Sequence, residues 1–200
     1  MILSDPLVSK SGRIALVPPQ EGDDAAVAAL RSHPETRRYV RFFPSHFSVE
    51  EQRARRVTRA ADPAILAFTI YALSSGSPPR FVGETSLLHI DDTHKSCEIG
   101  IYISPGSFRG GLATDALYTV LAYVFEQRKL HRAEFVTAVD NVGMRGWLDI
   151  AGATLEGIKG EGWSDGKGGF TDVCLYSILE GKWVNSIKTG LEGRINRVGT

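Results

Sequence analysis

The stretch Ser104–Gln127, SPGSFRGGLATDALYTVLAYVFEQ, decides how the chain is read. Small residues, one Arg and the pair Gly110-Gly111 open directly into Leu117, Val120, Leu121, Val124 and Phe125. Those five recur at the i, i+3, i+4, i+7, i+8 spacing of one apolar helix face. Glycine at a helix start costs backbone entropy, so its presence there implies that something must approach the main chain closely. A helix N-terminus carries unpaired N–H groups and the positive end of the dipole. Strand, glycine loop and helix together make a cradle for phosphate, and Arg109 adds a charge that can pair with it.

Outward from that stretch the chain is ordinary in bulk. It has 200 residues, 42% hydrophobic and 23% charged, which suits a single globular domain. Lys plus Arg equals Asp plus Glu at 23 each, which argues against a nucleic-acid partner. No basic-then-apolar leader and no apolar run of membrane-spanning length is visible, so no membrane role is expected and a cytoplasmic setting is. Cys97 and Cys174 are too few for a disulfide framework and lack metal-ligand spacing, so no metal is expected.

Before the glycine loop, Arg13–Val17 reads as a strand, Asp23-Asp24 as the capped start of a helix, and Pro34–Tyr39 as a second helix. Ser48 and Glu51 have capping-box spacing ahead of a basic helix whose charge is read as a solvated face. Ile65–Leu73, Phe81–Ile90 and Glu98–Ser104 read as a three-stranded antiparallel meander. After the loop helix come a strand at Glu134–Val139, a helix at Val142–Ala151, a strand beginning at Ala153–Gly157, a glycine-rich loop at Gly160–Gly169 and a closing strand at Phe170–Leu179. Residues after Trp183 show no clear period and read as a C-terminal tail, 184–200. The fold class is α/β: a mixed, mostly antiparallel sheet with helices on both faces.

The named phosphate and hydrolase motifs are absent. Gly166-Lys167 is followed by Gly168 rather than Ser or Thr, Gly160-Glu161-Gly162 is followed by Asp at 165, and neither H-E-x-x-H nor G-x-S-x-G occurs. Three stretches do resemble one family. EIGIYISPGSFRGGLATDAL is similar to the fourth strand, pyrophosphate loop and third helix of the GNAT N-acetyltransferase superfamily. HRAEFVTAVDNVGMRGWLDIAGATLEG resembles the following strand and helix of its branch related to ribosomal-protein N-terminal acetyltransferases. GGFTDVCLYSILEGKW resembles its closing strand, and FVGETSLLHI its third. The resemblance covers residues 11–183.

It implies acetyl-CoA as co-substrate, bound in a cleft where two strands splay apart, and transfer of its acetyl group by direct attack of a primary amine. The acceptor would be a peptide N-terminus or a small molecule; relatives of this kind often form homodimers. Backbone near Ile101, Tyr102 and Ile103 would pair with the pantetheine arm. The amides of Arg109, Gly110, Gly111, Leu112, Ala113 and Thr114 would hold the pyrophosphate. Asn141 would contact the cofactor as well as cap its helix, and Arg145 would reach the nucleotide end. Two positions depart from the family pattern. The [QR] position falls on Phe108, and the serine and tyrosine that donate a proton in relatives fall on Met144 and Leu148, which have no proton to give. A non-catalytic acyl-CoA-binding module is therefore the alternative. For the base that takes the amine proton, Glu98 is the first candidate and Glu84 the second. Trp163 and Asp172 are candidates for the acceptor site, and Cys97 is read as a plain buried thiol.

Overall fold

The computed structural model describes residues 5–198; residues 1–4 and the last two residues of the expected C-terminal tail, 199–200, lie outside the described residues. Eight strands form one sheet: β1 Leu7–Val8, β2 Ile14–Val17, β3 Leu66–Ser74, β4 Ser77–Asp91, β5 Ser96–Ile103, β6 Arg132–Ala138, β7 Thr154–Ser164 and β8 Phe170–Leu179. Their spatial order is β1-β2-β3-β4-β5-β6-β8-β7. Every neighbouring pair is antiparallel except β5 and β6, which are parallel. Parallel neighbours need a crossover, and the helix α4 (Leu112–Ala122), prolonged by a π turn at Tyr123–Gln127, provides it.

The alternation of side chains along each strand divides the interior into two unlike layers. On one face Phe68, Ile70, Leu87, Cys97 and Ile99 join Leu117, Leu121 and Val124 in the main apolar core. α5 (Val142–Ala151) adds Leu148 and Ala151 to the same core. On the opposite face the strands present Thr69, Glu84 and Ser86, and α1 (Asp24–Ser32) and α3 (Val49–Ala61) cover them with charge. Arg56 forms a two-pronged pair with Asp24 at 2.9 Å, Arg59 donates to Ser86 at 2.9 Å, and Arg55 stands 3.6 Å from Glu84. The basic face of α3 is thus largely spent on partners within the fold, which corrects its reading as solvated. Asp23 and Asp24 do not cap α1 either. Asp23 accepts hydrogen bonds from Thr69 and Tyr71, and Asp24 is taken by Arg56. The short helix α2 (Pro34–Tyr39) and the Ser48–Glu51 capping box form as read.

Two further expectations are revised. Gly160–Gly169 is not one loop. β7 runs to Ser164 and pairs with β8, with a register shift between Lys159 and Trp163. A Cβ at Gly162 would lie 2.5 Å from a methyl of Val173, so glycine there serves close strand packing. The segment after β8 is helical: α6 (Glu180–Lys182), a π turn at Trp183–Ile187, then α7 (Lys188–Val198). Trp183, Ile187, Leu191 and Ile195 repeat every four residues and are all buried against the main core. Among the described residues no helix is long and apolar enough to cross a membrane.

Candidate active site

β5 and β6 pair only at Ser96–Arg132, Cys97–Ala133 and Glu98–Glu134. Beyond that point they separate. Ile99–Ile103 continues along β4, and Phe135–Ala138 continues along β8. The result is a V whose two inner edges have no strand between them. Backbone donors and acceptors on such edges are free to pair with an extended ligand. Ile101, Tyr102 and Ile103 lie on one of these edges. Gly83, opposite Ile103 in β4, fixes how closely that edge is held, because a Cβ there would meet the Tyr102 carbonyl oxygen at 2.1 Å. A lone glycine inside a strand pattern was its sequence signal.

The V opens toward the start of α4. The chain leaves β5 through a single turn at Pro105–Ser107, passes Phe108 and reaches Arg109 and Gly111 in left-handed conformation, φ 64° and 75°. Gly111 is the N-cap residue of α4 and no side chain caps the helix. Glycine suits that φ because in other residues the Cβ is crowded against the following carbonyl oxygen there. The Thr114 amide closes back on the Gly111 carbonyl at 3.0 Å, which tightens the first turn. The loop is braced from outside: Arg13 donates to the Gly110 carbonyl at 3.2 Å, and Arg80 to buried Ser107 at 3.0 Å. Arg13 also pairs at 2.7 Å with Asp115, whose carboxyl, although burial raises its pKa, is served by Ser11 as well. That cation offsets the one acidic group in the first turn of α4, so the anion-attracting end of the helix is preserved. These residues fit a pyrophosphate held mainly by main-chain amides, with the side chain of Arg109 exposed beside it.

Across the V, Asn141 begins α5. Its carbonyl oxygen accepts from the Met144 amide at 3.2 Å and its amide donates to Thr137 at 3.0 Å. Trp147 donates to Thr114 at 3.1 Å and so ties α5 to the first turn of α4. Arg145 donates to the Val139 carbonyl at 2.6 Å, a contact that steadies the end of β6. Leu148 is wholly buried in the core and does not reach the cleft surface.

On the face covered by α1 and α3, Glu98, Gly100 and Tyr102 share one side of β5 with Glu84, the register partner of Tyr102. Glu98 stands at the root of the V. Burial pushes its carboxyl pKa up, with His89 opposing and Glu134 adding. Glu84 is 4% exposed, and one of its oxygens has no hydrogen-bond partner within the protein. It borders a cavity of about 240 Å³ together with Arg55 and Arg59. Arg31 stacks 3.9 Å above the ring of Phe43, and burial lowers its pKa to about 10. A row of rings, Trp163–Phe42–Phe43–Tyr102, links β7 to β5 with centroids 5.1–5.4 Å apart. Trp163 therefore stands at the far end of this row. Asp172 is exposed and accepts from the Glu161 amide at 2.7 Å, as part of the β7–β8 irregularity. Burial pushes the Cys97 thiol up to about 12, as befits an inert core side chain. The sequence reading missed Gly83, Arg13, Arg31 and the Phe42-Phe43 pair; only the glycine carried a local signal.

The sequence model of the acetyltransferase (GNAT) domain matches residues 13–154. The chain belongs to this GNAT acetyltransferase family. A relative from Bacillus subtilis (strain 168), named "Putative ribosomal N-acetyltransferase YdaF", is 30% identical over 101 residues, 50% of this chain and 55% of that protein. The match thus spans about half the length of that curated relative. Among solved structures, spermidine N-acetyltransferase from Vibrio cholerae in complex with CoA and spermine superposes with a TM-score of 0.78 at 24% identity, over 86% of this chain and 99% of that one. A GCN5-related N-acetyltransferase from Brucella melitensis gives 0.79 at 21% identity, over 96% and 86%. At these identities the structural likeness establishes the shared GNAT fold.

Proposed function

We propose that this protein is an N-acetyltransferase that moves the acetyl group of acetyl-CoA to a primary amine, at a protein N-terminus or on a small molecule. The observation that carries the reading is the V between β5 and β6, which leads straight into a helix opened by left-handed Gly111 with no side-chain cap. Acetyl-CoA, when bound, supplies an activated acyl thioester. The chain's own part is to hold and orient. The free edge at Ile101–Ile103 pairs with an extended amide-bearing arm, and the first amides of α4 receive the diphosphate. Asn141 and Trp147 fix the opposite wall through Thr137 and Thr114.

The acceptor approaches from the face that carries Glu98, Glu84 and Tyr102. An alkylammonium must lose a proton before it attacks, and a carboxylate with a raised pKa is a better acceptor of that proton than an ordinary one. Glu98, at the root of the V, has that property. Glu84, with one unpartnered oxygen, suits holding the ammonium in place. Met144 and Leu148 offer no proton to the departing thiolate, which as a good leaving group can take one from water. The likeness to a ribosomal N-acetyltransferase over half of the chain supports the ribosomal-protein branch, and with it a peptide N-terminus as acceptor. The test is thiol release from acetyl-CoA in the presence of peptide and small-amine panels, with the acetylated product weighed by mass spectrometry. Product with any amine is the expected result. Saturable acetyl-CoA binding without product from any amine would instead assign a binding module.

A further inference from the structure

A second feature lies on the acceptor side of the V. α2 and the tip of the β7–β8 hairpin enclose a cleft of about 470 Å³ lined by Arg37, Arg38, Arg41, Asp165, Gly166 and Lys167. The hairpin tip is held against the loop after α2. A Cβ on Gly166, whose φ is 71°, would fall 2.7 Å from the Arg41 carbonyl oxygen. The cleft is therefore a product of close packing at a position that only glycine satisfies.

Its charge is unbalanced. Arg41 pairs with Asp140. The Asp165 carboxylate accepts from the amides of Lys167 and Gly169 at 2.7 and 2.9 Å; these bonds, with Lys167 and Arg41 nearby, lower its pKa and keep it ionised, so it offsets one cation of the cleft. Arg37 donates to the Phe43 carbonyl at 3.2 Å, and Arg38 sits 5.4 Å above the ring of Tyr39. Among the described residues, Arg37, Arg38 and Lys167 make no ion pair with a carboxylate. Four cations and one carboxylate, Asp165, thus line one opening from two separate elements, and even with Arg41 set against Asp140 the cleft keeps an excess of positive charge, in a chain whose net charge is zero. Like charges gathered this way repel one another and draw anions. The cleft also adjoins the ring row: Phe42 follows Arg41, and Trp163 lies in the strand that leads to the hairpin tip.

We propose that this cleft is an acceptor subsite for carboxylates, so that the preferred acceptor is a peptide whose residues following the amino terminus are acidic. The inference rests on the amine-transfer reading and narrows it. Cations on both walls suit several carboxylates spaced along an extended peptide, whereas a polycationic amine would be repelled. The acidic residues sit in the cleft while the ring row carries the amino end toward Glu98 and Tyr102.

The test separates this claim from transfer itself by using peptides that cannot react. Two N-acetylated fluorescent peptides, one rich in Asp and Glu and one rich in Lys, are titrated onto the intact protein at low and moderate salt. A short single-stranded RNA serves as a third probe. The expected result is at least about tenfold tighter binding of the acidic peptide, equivalent to roughly 1.4 kcal/mol, with the advantage shrinking as salt rises. The double variant Arg38→Glu with Lys167→Glu, both exposed positions, should remove that preference, melt like the parent and bind acetyl-CoA unchanged. Equal or tighter binding of the basic peptide or of the RNA overturns the proposal. So does an acidic-peptide affinity that the double variant leaves intact. A parallel loss of acetyl-CoA affinity would assign the cleft to the cofactor's phosphates and equally overturn it. Absence of turnover with every amine would strike the transfer reading and leave the peptide preference readable.

Discussion

Glu98 of β5 and Glu134 of β6 are the last register partners of the sheet's one parallel pair, and the two strands part immediately beyond them. One carboxylate thus marks the root of the cleft on each side. The pair is unequal, since Glu134 is engaged by Arg132 at 2.6 Å while Glu98 is left with its pKa raised by burial.

That inequality gives a pH prediction. Glu98 holds its proton to a higher pH in the folded protein than in the unfolded chain. Its protonated form therefore favours the fold at low pH, and that contribution is lost as pH rises through the raised value. A base must be ionised, so kcat/KM should fall on the acidic side of the same raised value. Glu98→Gln should lower kcat by about 10²–10⁴-fold and abolish the acidic limb of the pH profile. An unchanged profile would move the role of base to Glu84.

Gly83 and Tyr102 supply a test of the cleft wall. Gly83→Ala places a methyl 2.1 Å from the Tyr102 carbonyl oxygen unless the strands shift. Forced repacking of this kind costs about 1–3 kcal/mol. The melting temperature should fall and acetyl-CoA should bind more weakly, measured by thermal unfolding and calorimetric titration. Unaltered affinity would show that this edge of β5 is not used.

Trp183 anchors the C-terminal helix. Its ring lies between Tyr118 and Phe125, and its N–H donates to Glu126 at 3.0 Å. Trp183→Ala should cost about 3–5 kcal/mol, read from the denaturant midpoint. A loss under about 0.5 kcal/mol would mean that residues after β8 contribute little to the fold, since a surface change has that size.

Much of the architecture was legible because local chemistry and final structure agree. Ser48 with Glu51 forms the capping box that its spacing implied, and Val142–Ala151 is helical over the residues read from sequence. The glycines after β5 marked the helix entrance because backbone access is a local requirement. What stayed hidden depends on contacts distant in sequence. The four-residue repeat of Trp183, Ile187, Leu191 and Ile195 was masked by Gly181, Gly190 and Gly193, which weaken helix propensity, and only burial against α4 reveals it. The glycines at 160 and 162 looked like a loop because glycine is uncommon in strands. The arginines of α3 looked solvated because their partners Asp24, Glu84 and Ser86 lie on other elements.

Glu156 predicts behaviour in acid. Arg132 and Ser177 hold its carboxyl at about 2, well below the ordinary 4.5. Its stabilising contribution is present above the ordinary value and is lost as pH falls from there toward about 2. The pair is largely solvated, so Glu156→Gln should cost no more than about 1 kcal/mol at neutral pH. The difference between mutant and parent should vanish near the lower value. A constant difference across that range would rule out the ion pair as its source.

The central claim is that the V and the uncapped helix beyond it are the seat of acetyl-CoA. It is tested most directly by thermal unfolding with and without acetyl-CoA, for the parent and for Gly111→Trp. Ligand at ~100 times its dissociation constant should stabilise the parent by about 2.7 kcal/mol. The variant, with a bulky side chain at φ 75° in the mouth of the cradle, should fold and show no shift. A parent that does not respond, or a variant that responds as strongly, would contradict the account.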